Sequence, residues 1–239
     1  MKRILHGPHA VLEAVRSKPA QIVVVIASEQ SEKSQRALLD EVRSRGVRID
    51  FRPASELDAL SEGTKHQGVI AVTGEFAYGF WEEVLALPEG ALVVALDEVT
   101  DPHNFGAIIR SAVCFGASAI LTLKDRAAPV TPVVVRASAG ATEHAQIVRV
   151  TNLARSLAAL QEEGFSVVGL DADGTCDIDH LPEAPRGRVI VVGSEGYGLR
   201  PLVKKHCDAI ASIPMKGRIS SLNASVAAGI ALFAASRQT

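Results

Sequence analysis

The amino-acid sequence predicts an α/β protein with a small N-terminal domain and a larger C-terminal domain. Short runs rich in Val and Ile alternate with helical stretches of about ten residues, which is typical of an α/β layer. This alternation stops near residue 74 and resumes near residue 91. Three polar segments also follow the ends of later predicted strands, where an open α/β sheet places its ligand sites.

Composition narrows the class of protein. The chain has 239 residues and a formal net charge of −2, so charge alone would not hold a nucleic acid. Its three cysteines are widely spaced without a C-x-x-C pair, which predicts reduced thiols and neither a disulfide framework nor a zinc site. The N-terminus lacks the apolar core of a signal peptide, and the apolar run at residues 22–27 is too short to cross a bilayer. We expect a cytoplasmic protein with no bound metal and no membrane contact.

Residues 1–74 are expected to form the small domain. Their periodicity predicts helices at residues 10–16, 32–44 and 56–60, and strands at residues 22–26, 47–51 and 69–72. Residues 75–90 are predicted to be a linker with a short helix at residues 81–87. The aromatic residues of this linker most simply pack it onto one of the domains.

Residues 91–239 are expected to form the second α/β domain. Its predicted strands are residues 92–96, 119–123, 167–170, 189–192 and 209–213, and its predicted helices are residues 105–115, 132–138, 153–163 and 222–235. Asn152 is a predicted N-cap. The last helix is apolar on all sides, so it should be buried, either in the core of the domain or in a dimer interface.

Three polar segments of the second domain are candidates for one functional site. They are residues 101–106 with Arg110, residues 193–198, and residues 213–223. Their Asn, Arg, Glu and Ser side chains are not core-forming residues. Each segment follows a predicted buried strand or opens a helix after one, so we expect one site assembled from three loops.

Several of these residues also have a purely structural interpretation. Arg110 lies among apolar residues of a predicted helix, where it could form an ion pair or clamp a phosphate with its planar guanidinium. The glycines of residues 193–198 could form a tight turn or let a ligand approach the backbone closely. His103 more simply caps a turn than acts as a base. Asp171 and Asp173 are expected in a solvated turn, because no Glu follows at the spacing of a calcium loop.

Together the three segments resemble motifs one, two and three of the SpoU branch of the SPOUT RNA 2′-O-methyltransferases, in order and in spacing. The matching residues are Asn104-Phe105-Gly106 with Arg110, Gly193-Ser194-Glu195-Gly196 with Gly198, and Ile213-Pro214-Met215 with Ser220-Ser221-Leu222-Asn223. Further stretches, at residues 6–13, 66–68, 99–104 and 149–155, resemble the bacterial 23S rRNA guanosine 2′-O-methyltransferases that modify the P loop of the peptidyl-transferase centre. The resemblance covers nearly the whole chain.

The resemblance implies a fold, a cofactor and an assembly. Residues 1–74 would be an RNA-binding domain like ribosomal protein L30e, and residues 91–239 a SPOUT catalytic domain whose C-terminal segment threads a trefoil knot. Periodicity alone would give an unknotted, doubly wound sheet, because knots are rare. The implied cofactor is S-adenosylmethionine, held by Gly193, Ile213 and Leu222 largely through backbone groups. The implied assembly is a homodimer with its site near the interface.

The resemblance also assigns catalytic roles, without a metal. A ribose 2′-hydroxyl would attack the methyl group of the sulfonium, so alignment would supply most of the catalysis. We expect Asn104 and Asn223 to orient the reactants through hydrogen bonds, Ser221 to position them, and Glu195 to hold Arg110 or the ribose. Arg110 is expected to stabilise the forming alkoxide rather than to act as a base, because its intrinsic pKa is very high.

The expected substrate is a guanosine in the P loop of 23S rRNA, and not DNA, because only RNA carries the 2′-hydroxyl. A tRNA guanosine and the rRNA adenosine whose methylation confers thiostrepton resistance stay open, since no residue demonstrably reads the base. Two alternatives come from other classes. A non-catalytic RNA-binding ribosome-assembly protein would not need the intact motif residues, and a small-molecule methyltransferase would leave residues 1–74 without a purpose.

Overall fold

The computed structural model describes residues 3–217 and 221–238. In chain order its elements are β1 (Arg3–His6), α1 (Pro8–Ser17), β2 (Ile22–Ser28), α2 (Ser31–Ser34), α3 (Arg36–Ser44), β3 (Ile49–Arg52), α4 (Ala54–Leu60), β4 (Val69–Thr73), α5 (Trp81–Leu85), β5 (Ala91–Leu96), α6 (Pro102–Cys114), β6 (Ala119–Leu123), α7 (Pro132–Ala137), β7 (Ile147–Val150), α8 (Leu153–Glu162), β8 (Ser166–Leu170), β9 (Cys176–Asp177), β10 (Gly187–Val192), α9 (Pro201–Lys205), β11 (Ala209–Ser212) and α10 (Ala224–Ser236). Within the described ranges, no helix is both long enough and apolar enough to span a membrane.

The elements form two compact units. The N-terminal unit consists of Met1–Ala77 and Val130–His144, and the C-terminal unit of Tyr78–Pro129 and Ala145–Thr239. The predicted division into continuous stretches did not foresee that residues 130–144 belong with the first unit. Periodicity reports the local structure of this segment, which does form a helix, but it does not report which core the helix joins.

The N-terminal unit is built on a four-stranded sheet in the order β1-β4-β2-β3. The β1–β4 and β4–β2 pairs are antiparallel, and the β2–β3 pair is parallel. Its core includes Leu5 of β1, Val11 and Val15 of α1, Val25 of β2 and Val135 of α7. Apolar residues of α7 thus contribute directly to this core.

The C-terminal unit is built on a seven-stranded, fully parallel sheet in the order β7-β6-β5-β10-β8-β11-β9. Every residue of β5, β6 and β10 is buried, as expected of parallel strands covered on both faces. The chain first extends the sheet from β5 through β6 to β7, and then places β8 and later strands on the other side. The sheet therefore has a topological switch beside β5, where α/β folds bind their ligands.

Helices α6 and α10 begin near this switch, and a side chain caps the start of each. The Asp101 carboxylate accepts hydrogen bonds from the backbone amides of His103 and Asn104, and Pro102 occupies the first turn of α6. The side chain of Asn223 caps α10 in the same way. Helix α10 packs against α6 and β10, so both N-termini are held at the same end of the sheet.

Candidate active site

The carboxyl ends of strands β5, β8, β10 and β11 lie at the same end of the sheet, because all four strands run parallel. The segments that follow β8 and β10 meet the start of α10 there and enclose a cleft of about 550 Å³. Its walls include the backbone of residues 193–198, Leu170, Ser221, Leu222 and Asn223. Two of the three predicted segments therefore line one cavity, and the third is joined to them by hydrogen bonds.

Asn223 makes those bonds. Its side-chain nitrogen Nδ2 donates to Oδ1 of Asn104 at 2.9 Å and to Oε1 of Glu195 at 2.5 Å. The oxygen Oδ1 of Asn223 accepts from the backbone amides of Ser225 and Val226, which fixes the orientation of the amide group. One residue from each predicted segment is thus present in a single network.

Asn104 is held in place by the first turn of α6. Its backbone amide donates to Asp101 at 2.9 Å, and its side chain is buried, with 8% of the residue exposed. Burial of an amide side chain costs free energy unless its polar atoms are bonded, and the bond from Asn223 satisfies the oxygen Oδ1 of Asn104.

Glu195 lies in a tight turn of residues 194–198. Ser194 and Gly198 exchange two backbone hydrogen bonds of 3.1 Å, and Gly196 and Gly198 have positive φ angles of 84° and 64°. A Cβ atom on Gly193 would lie 2.7 Å from the backbone nitrogen of Leu199, closer than real contacts allow. The turn itself therefore requires these glycines, and it exposes Glu195.

An ion pair between a buried carboxylate and a partly exposed arginine holds the far end of this loop. Asp97 follows β5 directly, and its side chain is fully buried. It accepts hydrogen bonds from the backbone nitrogen, Nε and Nη2 of Arg200 at 2.8, 2.7 and 2.6 Å. Sequence reasoning missed this pair. The signal was present, since an acidic residue ends a buried strand of a parallel sheet at the edge where sites form.

The cleft has the composition of a cofactor site. Gly193 and Leu222 line it, and Ile213, Met215 and Leu222 line an adjoining, mostly apolar recess of about 120 Å³. Apolar walls with a few polar groups and an accessible glycine backbone fit a purine nucleoside. Ser221 lines both spaces, whereas Ser220 of the third segment lies outside the described residues.

Asp171 also lines the cleft, and its charge is fixed by Lys204. Lys204 Nζ donates to Asp171 Oδ2 at 2.8 Å and lowers the pKa of this carboxyl below its ordinary value. Sequence reasoning placed Asp171 in a solvated turn and missed its pair with Lys204. The two residues are 33 positions apart, and no local pattern reports such a contact.

A second, smaller cleft of about 260 Å³ lies on the other side of Glu195. It is lined by Glu98, Thr100, Asp101, Asn104 and Glu195. Asn104 and Glu195 therefore stand between a cofactor-like cleft and a polar one. Such an arrangement can bring two bound groups together at the same side chains.

The structure does not bring Arg110 into this network. Arg110 is exposed on α6 and, among the described residues, makes no hydrogen bond or ion pair. Within a single chain Glu195 bonds to Asn223, and no bond between Glu195 and Arg110 is seen among the described residues. The surface ion pair considered for Arg110 is likewise not seen in the described part of the chain. His103 is exposed, and its backbone amide bonds the Asp101 cap.

Comparisons with known proteins identify both units. The model of the SpoU rRNA Methylase family matches residues 91–233, and that for RNA 2′-O ribose methyltransferase substrate binding matches residues 4–79. The chain is 40% identical over 240 residues to the 23S rRNA (guanosine-2′-O-)-methyltransferase RlmB of Vibrio cholerae, which covers 98% of this chain and 96% of that protein. It is 41% identical over 237 residues, 97% of this chain and 75% of the relative, to an uncharacterized tRNA/rRNA methyltransferase of Mycolicibacterium smegmatis.

A solved structure agrees with these matches. The SpoU methyltransferase AviRb from Streptomyces viridochromogenes, in complex with the cofactor AdoMet, superposes with a TM-score of 0.80 at 28% identity, over 99% of this chain and 90% of that one. The α/β fold and the resemblance inferred from the three segments are thereby confirmed. The chain belongs to the SpoU rRNA methylase family.

Proposed function

We propose that this protein transfers the methyl group of S-adenosylmethionine to the ribose 2′-hydroxyl of a guanosine in the P loop of 23S rRNA. One observation carries the proposal: Asn104, Glu195 and Asn223 form a hydrogen-bonded network between a cofactor-like cleft and a polar cleft. The Vibrio cholerae relative, named for methylating guanosine in 23S rRNA, matches over nearly the full length of both chains. This supports the choice of base and of RNA.

The residues that would hold S-adenosylmethionine fit it. The recess lined by Ile213, Met215 and Leu222 would receive the apolar faces of the adenosine, and Gly193 would contact the cofactor through its backbone. Ser221 would position it with a hydroxyl. When bound, the cofactor supplies a methyl group already activated by the positive sulfur. No metal takes part.

The chain's own residues then orient the ribose. Glu195 uses Oε1 to accept from Asn223, and its exposed carboxylate can accept a hydrogen bond from the sugar hydroxyl. Asn104 and Asn223 keep that carboxylate in place. Because the carboxylate is held before substrate arrives, little reorganisation is needed as the hydroxyl passes its proton to this carboxylate and its oxygen takes up the methyl group.

We further propose that the enzyme is a homodimer and that each subunit supplies Arg110 to its partner's cleft. Val226, Ile230 and Phe233 form an exposed apolar stripe on α10, of which 49%, 37% and 49% is accessible. Arg110 is exposed on the adjacent helix α6 and does not line its own cleft. A second copy covering the stripe would bury apolar surface and bring a guanidinium to the forming alkoxide.

The remaining family features also stay proposals. The N-terminal unit would bind the RNA as an L30e-like domain, and the C-terminal segment would thread a trefoil knot. Methylation of ribosomal RNA would take place in the cytoplasm.

Incubation with methyl-labelled S-adenosylmethionine and a 23S rRNA transcript tests the function. We expect one 2′-O-methylguanosine in the P loop, mapped by resistance of the modified linkage to alkaline cleavage. The variant Asn104→Ala is the inactive control. Methylation of tRNA alone, or of an rRNA adenosine, would overturn the substrate. Failure to bind S-adenosylmethionine by calorimetry would favour a non-catalytic RNA-binding protein.

Mixed dimers test the origin of Arg110. Arg110→Ala and Asn223→Ala homodimers should each be inactive. After mixing and exchange of subunits, random pairing should restore about a quarter of the wild-type activity, because half of the dimers carry one intact site. If Arg110 acted within its own subunit, every site in the mixture would lack one of the two residues, and no activity would return.

A further inference from the structure

The C-terminal unit contains a further cleft, separate from the two at the candidate active site, whose positive charge the proposed reaction does not use. This basic cleft has a volume of about 400 Å³ and is lined by Trp81, Lys124, Arg149, Thr151, Asn152 and Arg155, together with three small or apolar residues. Among the described residues, no acidic side chain lines it. Three cations therefore face one cavity in a chain whose net charge is −2.

The three cations are available to a ligand. Lys124, Arg149 and Arg155 are exposed and, within the described ranges, form no ion pair. Arginines of the N-terminal unit behave differently: Arg48 lies 2.9 Å from Asp50, and Arg43 lies 2.9 Å from Asp40. Like charges that converge without a counter-charge repel one another, which costs free energy unless an anion binds.

Arg149 is also oriented. Its guanidinium stacks on the ring of Tyr78, with 4.0 Å between the guanidinium carbon and the ring centroid. Stacking occupies the face of the guanidinium and leaves its N–H groups at the rim, where they can bond two oxygens of a phosphate. Asn152 caps α8 at the same cleft, so the positive end of a ten-residue helix adds to the field.

The basic cleft opens at the carboxyl ends of the strands, the same end of the sheet as the candidate active site. Lys124 directly follows β6, and residues 151–152 directly follow β7. In the strand order, β7 is two places from β5, which precedes Asn104. Two strand spacings correspond to about 10 Å. A polynucleotide with its reacting ribose at Asn104 can therefore pass over the basic cleft with nearby nucleotides.

We propose that the basic cleft binds the phosphodiester backbone of the RNA next to the methylated ribose, which rests on the proposed RNA methyltransferase function. Its ligand is the polyanionic backbone, recognised by charge and without regard to base. These contacts fix the register of the RNA, so that the target hydroxyl stays at the network of Asn104, Glu195 and Asn223.

Filter binding of a 23S rRNA transcript to Arg149→Gln, Arg155→Gln and the double variant, over a series of salt concentrations, tests the proposal. The slope of log affinity against log salt concentration should fall by about 1 for each cation removed. RNA affinity should fall together with the slope, and S-adenosylmethionine affinity by calorimetry should not change. Lys205→Gln is the charge-matched control, because Lys205 is exposed in the same unit and outside the cleft.

The outcomes separate the two proposals. Variants that bind RNA with wild-type affinity and wild-type slope overturn the basic cleft alone, even if they bind inorganic phosphate less well. Wild-type protein that binds S-adenosylmethionine but no RNA overturns both. If the wild-type protein methylates a different nucleotide and the variants show the reduced slope, only the proposed target, the P-loop guanosine, is overturned. An equal loss in Lys205→Gln would show that total charge rather than the cleft governs binding, and would also overturn the proposal.

Discussion

Asn223 uses the two ends of one amide group for two purposes. Its oxygen caps α10, and its nitrogen joins Asn104 to Glu195. A serine retains an oxygen acceptor for the cap but has no group that reaches both partners. The two purposes can therefore be separated by comparing two substitutions at one position.

We expect Asn223→Ala to lower the free energy of unfolding by about 1 kcal/mol through loss of the cap, and Asn223→Ser to change it much less. Both variants should lose methyl transfer by a factor on the order of 100, because the side chains that position the ribose are no longer held. Urea unfolding and single-turnover methylation measure the two effects. A fully active Asn223→Ser variant would contradict the role of the network.

The Asp171–Lys204 pair predicts a pH dependence. Its hydrogen bond lowers the pKa of Asp171 below the ordinary 3.8. A lowered carboxyl pKa stabilises the folded state above about pH 4, and this contribution is lost as the pH falls through the lowered pKa. Lys204→Met should reduce the free energy of unfolding at pH 7 by less than about 1 kcal/mol, because both groups are partly exposed.

The difference between Lys204→Met and wild type should shrink as urea unfolding is repeated from pH 7 towards pH 3. Lys205→Met is the control, since no hydrogen bond or ion pair of Lys205 is seen in the described part of the chain. A difference that stays constant down to pH 3 would show that Lys204 stabilises the fold by packing rather than by charge.

At the residue scale, the sequence predicted which residues belong to the site, but it did not predict which of them contact one another. Asn104, Glu195 and Asn223 were singled out because polar residues followed buried strands, and the structure joins them. The partner of Glu195 could not be predicted, because it depends on how a turn and a distant helix cap approach each other. The catalytic roles themselves stay predictions.

Among the elements, the loop of residues 193–200 is attached to β5 by the contact between the buried Asp97 and Arg200. Asp97→Asn removes the buried charge of this contact, whereas Arg200 is 33% exposed and still lies 3.1 Å from Glu98. The substitution should lower the free energy of unfolding by about 2 kcal/mol and weaken S-adenosylmethionine binding, because the loop that lines the cleft is held less firmly to β5.

Arg43→Gln is a suitable control, because it removes an exposed ion pair with Asp40 in the N-terminal unit and should cost less than about 1 kcal/mol. Urea unfolding and calorimetry measure the two quantities for both variants. A folded Asp97→Asn variant that binds S-adenosylmethionine as tightly as wild type would contradict the proposed effect of the loop.

The central strands were predictable because parallel strands buried on both faces are continuous apolar runs. The structure contains all five strands expected after residue 91. Short strands at sheet edges were missed: β1 and β7 have four residues each, and β9 has two. These segments are strands because a neighbouring strand pairs with them, and local sequence does not report that pairing. The helix expected at residues 32–44 is interrupted at Gln35.

For the whole molecule, the apolar stripe on α10 predicts the assembly. Phe233 lies in this stripe and packs edge-on against Phe115, with 5.8 Å between ring centroids. Phe233→Asp should convert the proposed dimer to a monomer in sedimentation experiments, because an apolar interface would not solvate the new charge. Methylation should be lost with the dimer if Arg110 acts across it.

Leu202→Asp places the same charge on an exposed residue outside the stripe, where 57% of Leu202 is accessible, and should leave the dimer intact. A Phe233→Asp protein that still sediments as a dimer would show that another surface joins the subunits. A Leu202→Asp protein that also dissociates would show that the effect is not specific to α10.

Sequence predicted two domains, but it could not predict how the chain is shared between them. Residues 130–144 were assigned to the second domain by their position in the chain. They join the first unit because Val135 packs into its core. Long-range packing of this kind leaves no mark on the local alternation of apolar and polar residues.

Residues 130–144 belong to the first unit, and this limits how the protein can be divided into stable fragments. A fragment that stops at residue 77 would lack Val135 and leave a gap in the core beside β1, so it should be prone to aggregate when expressed alone. The remainder would in turn carry an unsupported helix. A single crossover that exchanged only the continuous N-terminal part of the first unit between relatives would therefore produce poorly folded hybrids. The two units should be inherited together.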